Sequence, residues 1–257
     1  MVSKAKVRLV RLLEMKRHRE AHGLFVAEGN KLVADMMAAF ECEWMLATPS
    51  WMAVQGHIPA RELVVADGDD IRRISLLKNP QDVLALFRLP SYDIGEADPA
   101  HRLTLVLDAV RDPGNLGTIV RVADWFGIEH VICSTDSADV FAPKAVQATM
   151  GALARVSVHY TGIEQYLDRY RHVPVYGTFT DGDNIYGKTL SPGGIVVLGN
   201  EGSGIRPSVE ALVHCRLCIP SYPDGRDTSE SLNVAVAAAV VCAEFRRQTC
   251  SRQDSGF

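Results

Sequence analysis

The chain has no apolar run approaching the roughly 18 to 20 residues needed to cross a bilayer, so no membrane span is expected. Its first twenty residues, MVSKAKVRLVRLLEMKRHRE, are basic but lack a long apolar core and a small-residue cleavage site. They do not read as a secretory signal, and a cytoplasmic enzyme is the expectation. The six cysteines are scattered in ordinary apolar contexts, which favours reduced thiols over a disulfide framework. Only Cys215 and Cys218 have metal-like spacing, and no second pair or set of histidines follows at a spacing that would complete four ligands, so no metal is expected.

With 257 residues, 47% of them hydrophobic, the chain has enough material for a full core, read most simply as two domains. The net charge of −4 argues against simple coating of nucleic acid, yet the charge is unevenly placed. Residues 1–31 hold eight Lys and Arg against three Glu, a net +5, which leaves −9 for the rest. A basic segment on an acidic body points to a localised polyanion contact, with Lys16, Arg17, Arg19 and Lys31 as candidate nucleic-acid-binding residues. For any one of these residues, a solvated helix face is the competing explanation.

Residues 1–90 alternate short strands with helices. One basic helix is predicted over Ala5–Glu20, followed by strands at Leu24–Ala27, EWMLAT, ELVVAD and DVLALFRLP. Residues 91–101 have the Pro, Gly and acidic character of a linker. From 102 to 257 the pattern is βαβ-like, with strands at Leu103–Leu107, His130–Cys133, Arg155–Val158, Val173–Thr178, Ile195–Leu198 and Arg216–Ile219. A long helix over Ser231–Arg247 follows. Such alternation implies an α/β fold with a parallel sheet covered on both faces, whose ligands bind beyond the strands' carboxyl ends.

The loop after Leu107, DPGNLGTIVR, fails both nucleotide tests. It is not G-x-G-x-x-G with a later acidic residue, and no Gly-Lys-Ser/Thr follows. Asn115 stands near the helix start, where capping is an equally good explanation. Arg121 lies six residues on, about 600° of helix, so the two need not share a face. An arginine in an apolar helix needs a partner, and phosphate is a natural one. The next loop, LGNEGSGI, sets Glu201 among Gly199, Gly202 and Gly204, more glycine than one turn requires, which indicates close packing of chain or ligand. The last loop leads through Ser231, Leu232 and Asn233 into a helix of small apolar residues that must be buried.

NLGTIVR, LGNEGSGI and IP…ESLNVAVA, in that order, resemble the three motifs of the SpoU (TrmH-like) RNA methyltransferases of the SPOUT superfamily. FAPKAVQATMGALARV is similar to the group's central segment. KRHREAHGLFVAEGNKLV resembles an N-terminal RNA-binding domain related to a ribosomal-protein fold. The resemblance implies a small α/β RNA-binding domain followed by a SPOUT domain with a deep trefoil knot. It also implies homodimers whose active sites draw on both subunits, and S-adenosylmethionine-dependent methylation of a ribose 2′-hydroxyl, most simply in ribosomal RNA. By position it assigns the cofactor to Thr178, Leu198, Gly199, Ile219 and Leu232. It assigns catalysis to Arg121, Asn115, Glu201, Ser231 and Asn233, with Glu201 orienting Arg121 or nearby groups.

The chemistry can be argued separately. A ribose hydroxyl is a weak nucleophile that benefits from a base and from positioning. Arginine stays protonated, which favours Arg121 as a phosphate and ribose anchor over a base. The sequence departs from the group at Gln147, Met150 and Ala235, and its third loop is longer than the common form. A transfer-RNA substrate, a non-catalytic RNA-binding factor and a nicotinamide dehydrogenase are the competing readings.

Overall fold

The computed structural model describes residues 2–223 and 229–254. The first part of the chain holds α1 (Lys4–Leu12), α2 (Lys16–His22), β1 (Leu24–Glu28), α3 (Asn30–Met37) and β2 (Cys42–Ala47). It continues with α4 (Pro49–Val54), β3 (Leu63–Val65), α5 (Gly68–Ile74) and β4 (Val83–Arg88). After Ser91 come β5 (Leu103–Leu107), α6 (Pro113–Trp125), β6 (His130–Ser134), α7 (Pro143–Thr149) and β7 (Ser157–Thr161). Then follow α8 (Ile163–Arg169), β8 (Val175–Asn184), β9 (Gly194–Leu198), α9 (Pro207–Glu210), β10 (Cys215–Cys218) and α10 (Val234–Asp254). Two compact units result: residues up to Ser91 together with Asp139–Arg155, and Tyr92–Ala138 together with the chain from Val156.

The first unit has a four-stranded sheet in the order β1-β4-β2-β3, antiparallel except for the β2–β3 pair. Val10 and Leu13 pack with Val26, Trp44, Leu46, Ile71, Ile74 and Leu86 in one buried cluster. The single helix predicted over Ala5–Glu20 is instead two, broken after Leu12. The cause is Arg19, whose Nη1 donates to the carbonyls of Leu13 and Glu14, each at 2.8 Å, taking acceptors that a continuous helix would use itself. Segment 139–155, placed by sequence in the second domain, belongs to this unit. Phe141 sits 4.9 Å from Phe25, within an aromatic group that also includes Phe40 and Phe87, and Asp139 pairs with Arg19.

The second unit has six parallel strands in the order β10-β8-β9-β5-β6-β7. β5, β6, β9 and the start of β8 are buried, as unbroken apolar runs in a sheet covered on both faces should be. The chain steps outward from β5 to β6 and β7, then returns to lay β9 on the other side of β5. That reversal puts a topological switch point at the carboxyl ends of β5 and β9, where ligands of open parallel sheets bind. The stretch read as a linker packs here: Ala97 is in the core with Ile94 against it, and its carbonyl accepts from the Tyr170 hydroxyl at 3.4 Å. Two apolar residues among the Pro, Gly and acidic ones are enough to seat it.

Candidate active site

Beyond β5, Asp112 caps α6 by accepting from the Asn115 backbone N–H at 2.9 Å, with Pro113 in the first turn. Asn115 is therefore not the cap, and its side chain is free for longer reach. Its Nδ2 donates to Glu201 Oε1 at 2.5 Å, and its Oδ1 accepts from Asn233 Nδ2 at 3.0 Å. Asn233 in turn starts α10, its Oδ1 accepting from the N–H groups of Ala235 at 3.0 Å and Val236 at 3.3 Å. The first turn of α6, the loop after β9 and the residue that precedes α10 thus join in one chain, Glu201–Asn115–Asn233. Because both partners fix the Asn115 amide, its donor and acceptor ends are set without ambiguity.

Arg121 lies further along α6, exposed, and makes no hydrogen bond or ion pair among the described residues. Of the groups Glu201 was expected to orient, Arg121 or its neighbours, it is Asn115 that the carboxylate holds. Ser231 is exposed beside Leu232, ahead of α10, and the third-loop residues 224–228 lie outside the described residues.

The glycine-rich loop after β9 folds back on itself. Asn200 and Gly204 exchange backbone hydrogen bonds of 3.0 and 2.9 Å. A Cβ on Gly199 would fall 2.3 Å from the Gly204 carbonyl carbon, so that position admits no other residue without moving backbone. Asn200 went unnoticed in the sequence, yet it braces the whole turn. Its Oδ1 accepts from Gly202 N, Ser203 N and Ser203 Oγ at 3.0 to 3.2 Å. Its Nδ2 donates to the Ala109 carbonyl at 2.8 Å. The available signal was an Asn inside a glycine run, a residue type that bonds its own following backbone.

Sequence reading also missed the charges at the root of this loop. Asp108, 1% exposed at the end of β5, accepts from the Arg206 backbone N–H at 2.8 Å and lies 2.6 Å from Arg206 Nε. Arg206 Nη2 reaches Asp136 at 2.9 Å, and Arg111 approaches the same carboxylate at 3.2 Å. The Ser134 hydroxyl, with these two guanidinium groups, holds the Asp136 carboxyl far below the usual range.

The five residues assigned to a cofactor lie at or after β8, β9 and β10, which are neighbours in the sheet. Thr178 is half-buried and donates to the Val197 carbonyl at 3.3 Å. Leu198 is buried, Gly199 and Ile219 are half-buried, and Leu232 presents an apolar side chain that is 48% exposed. The β8–β10 register jumps from Arg216↔Gly177 to Leu217↔Asp183, so residues 178–182 leave the ladder at this edge. There the Arg216 guanidinium stacks 3.7 Å over the Phe179 ring.

In the first unit Lys16, Arg17 and Lys31 are exposed. Lys16 stands 3.9 Å from Glu20, and Lys31 pairs with Asp35 at 2.5 Å. Arg19 is the exception: it is 2% exposed and wholly occupied by Asp139 and the two helix-end carbonyls. It is a structural residue of this unit, because a buried guanidinium has no face to offer RNA.

Residues 102–243 match the SpoU rRNA Methylase family, and residues 4–85 match the MRM3-like substrate binding domain. The chain is similar to the 23S rRNA (guanosine(2553)-2'-O)-methyltransferase RlmP of Bacillus subtilis, with 27% identity across 94% of this chain and 96% of the relative. It is also similar in structure to a putative RNA methyltransferase of the TrmH family from Porphyromonas gingivalis, with a TM-score of 0.86 and 41% identity over 96% of this chain and 99% of that one. An AdoMet-bound rRNA methyltransferase from Sinorhizobium meliloti superposes with a TM-score of 0.82 at 26% identity, covering 96% and 97%. With its three segments joined at Asn115 and more than half its length matched, the chain belongs to the SpoU rRNA methylase family.

Proposed function

We infer that the protein transfers a methyl group from S-adenosylmethionine to a ribose 2′-hydroxyl of ribosomal RNA. The observation that carries this reading is the Glu201–Asn115–Asn233 chain, with Arg121 six residues further along α6, assembled from the three segments whose sequences carry the family resemblance. Family membership and the rRNA methyltransferases among its relatives support both the reaction and the RNA class.

The residues present suit the cofactor. Thr178, Leu198, Gly199, Ile219 and Leu232 carry no charge, and a side chain at Gly199 would fill the turn it forms. Apolar walls with spare backbone groups match an adenosyl moiety. When bound, S-adenosylmethionine supplies the electrophilic methyl.

The chain's own residues act on the acceptor. Arg121, exposed and permanently cationic, anchors the phosphate and ribose of the target nucleotide. Asn115, locked by Glu201 and Asn233, offers its remaining amide N–H and lone pair to the ribose, and Ser231 adds a hydroxyl at the helix start. Positioning of this kind accounts for large rate effects, since a misplacement of about 1 Å costs on the order of a hundredfold.

Finer features belong to the same reading. A deep trefoil knot is supported by close backbone approaches at two glycines. A Cβ on Gly182 would lie 2.7 Å from the Leu217 carbonyl carbon, and Gly199 meets Gly204 in the same way. A homodimer is supported by apolar residues left open on the packed pair α6 and α10, Trp125 at 84% and Val236 at 50% exposure, with Leu232 at 48% just ahead of α10. Arg121 shares the Trp125 face of α6, four residues earlier, so a second copy seated there would border the site. Lys16, Arg17 and Lys31 contact RNA, as suits the substrate binding domain matched by residues 4–85. The protein works in the cytoplasm, where its substrate is; among the described residues no helix is long and apolar enough to cross a membrane.

The test is methyl transfer from labelled S-adenosylmethionine to ribosomal RNA extracted from cells lacking the gene. Wild type labels it, and Asn115→Ala and Arg121→Ala label it at least tenfold more slowly while still binding S-adenosylmethionine in calorimetry. Undiminished transfer by both variants would remove the site assignment.

A further inference from the structure

The charge network at the root of the Leu198–Arg206 loop is larger than folding alone requires. Asp108, buried at the end of β5, needs a partner, because an unpaired carboxylate there would be costly. The Arg206 backbone N–H and any one cation would meet that need. Arg206 does more. Its Nε lies 2.6 Å from Asp108 Oδ1, and its Nη2 donates at 2.9 Å to Asp136, which stands beyond β6 and also receives Arg111. The fork therefore ties together the ends of β5, β6 and β9, an arrangement that lysine, a point charge, cannot reproduce.

The place of Arg206 in the loop gives this clamp its significance. The turn 199–204 is pinned on one side by Asn200, through the Ala109 carbonyl, and on the other by Arg206, through Asp108. Glu201 lies between the two pins, and Glu201 is what holds Asn115. Arg206 itself stays partly open, its side chain 38% exposed, so it is not present to fill a core. We propose that Arg206 is a positioning residue for methyl transfer, its guanidinium clamped between Asp108 and Asp136 so that Glu201 holds Asn115 in the orientation the ribose requires. This rests on the catalytic reading of Glu201 and Asn115 given above. Arg206 need touch neither substrate nor cofactor; it acts through the loop.

A coupling measurement separates positioning from mere stability. The assay is single-turnover and steady-state methyl transfer to ribosomal RNA extracted from cells lacking the gene, with Arg206→Lys, Asp136→Asn, Glu201→Gln and the Arg206→Lys/Glu201→Gln double variant. Arg206→Lys keeps a cation beside Asp108, and its folding is checked by thermal denaturation. Its kcat should fall about tenfold, with KM for S-adenosylmethionine changed less than about threefold. Asp136→Asn removes only the outer, half-exposed half of the clamp and should give a smaller loss of the same kind. If Arg206 acts through Glu201, the double variant is no slower than Glu201→Gln alone. Wild-type kcat in both Arg206→Lys and Asp136→Asn overturns the proposal, as does a double variant whose losses multiply. Should Arg206→Lys fail to fold, Asp136→Asn and its double with Glu201→Gln carry the same test. If Glu201→Gln alone turns over at the wild-type rate, the catalytic reading of the cluster falls, and the proposal with it. If Glu201→Gln is slow but the losses multiply, only the clamp falls.

Discussion

Replacing Arg19 by Met should unfold the first unit at a lower temperature while leaving its electrostatic affinity for RNA unchanged. The guanidinium makes two contacts with Asp139, at 3.2 and 2.5 Å, and caps the carbonyls of Leu13 and Glu14 at 2.8 Å each. Removing one partner of a buried pair costs about 3–5 kcal/mol, because the other charge is left without compensation. The lower end applies here, since the Asp139 side chain keeps 16% exposure and can recover some hydration. The buried Leu13 carbonyl and the part-buried Glu14 carbonyl lose their donor as well, which makes about 3 kcal/mol a lower bound. At about 2–4 °C per kcal/mol for a chain of this size, 3 kcal/mol corresponds to a fall of about 6–12 °C.

Thermal denaturation by circular dichroism measures this fall. Asp139→Asn supplies a double-mutant cycle, in which the double variant should lose clearly less than the sum of the singles. RNA binding, measured well below the transition across a salt series, should keep its wild-type slope. An unchanged melting temperature together with a shallower salt slope would refute the reasoning and return Arg19 to the RNA-contacting surface.

Charge reversal at the exposed pair Lys16 and Arg17 should have the opposite profile: a melting temperature near wild type, weaker RNA binding and a salt slope reduced by roughly one to two. An unchanged slope would remove that helix from the interface. Gly199→Ala places a Cβ 2.3 Å from backbone, so the second loop must shift; S-adenosylmethionine affinity in calorimetry should drop at least tenfold, and unaltered affinity would contradict the cofactor placement. A pH effect is expected from His159, buried and stacked 5.4 Å from His130. Its burial, with the neighbouring His130, holds its pKa at about 4. The unfolded chain then binds a proton that the folded one refuses, so this contribution is complete above about pH 6.5 and is lost as the pH falls toward 4, by up to about 3 kcal/mol. His159→Gln should flatten stability against pH across that window; an unaltered curve means that His159 is not the source.

Much of the second unit was legible because its strands are buried runs separated by loops of a different composition. Leu103–Leu107 was read to the residue, and the loops after β5 and β9 carried Asn115 and Glu201 in recognisable surroundings. What the sequence could not display was direction. Asn115 reads equally as a cap until Asp112 is seen to fill that place. Arg121 and Glu201 look complementary in sign, but the carboxylate turns to the amide of Asn115. Arg19 sits among surface-like residues, and only the fold reveals Asp139, far along the chain, as its partner. The same holds for segment 139–155, whose Phe141 meets Phe25, more than a hundred residues upstream. Asp108 and Arg206 are individually ordinary, and their pairing depends on β9 returning beside β5.

The central claim is ribose methylation governed by the Asn115 cluster, and the most direct measurement is a map of 2′-O-methyl nucleotides across ribosomal RNA. Three strains are compared: with the gene, without it, and with Asn115→Ala in its place. A defined ribose should lose its methyl group when the gene is removed and stay largely unmethylated in the Asn115→Ala strain, while wild type restores it. An identical map in all three strains would contradict the claim.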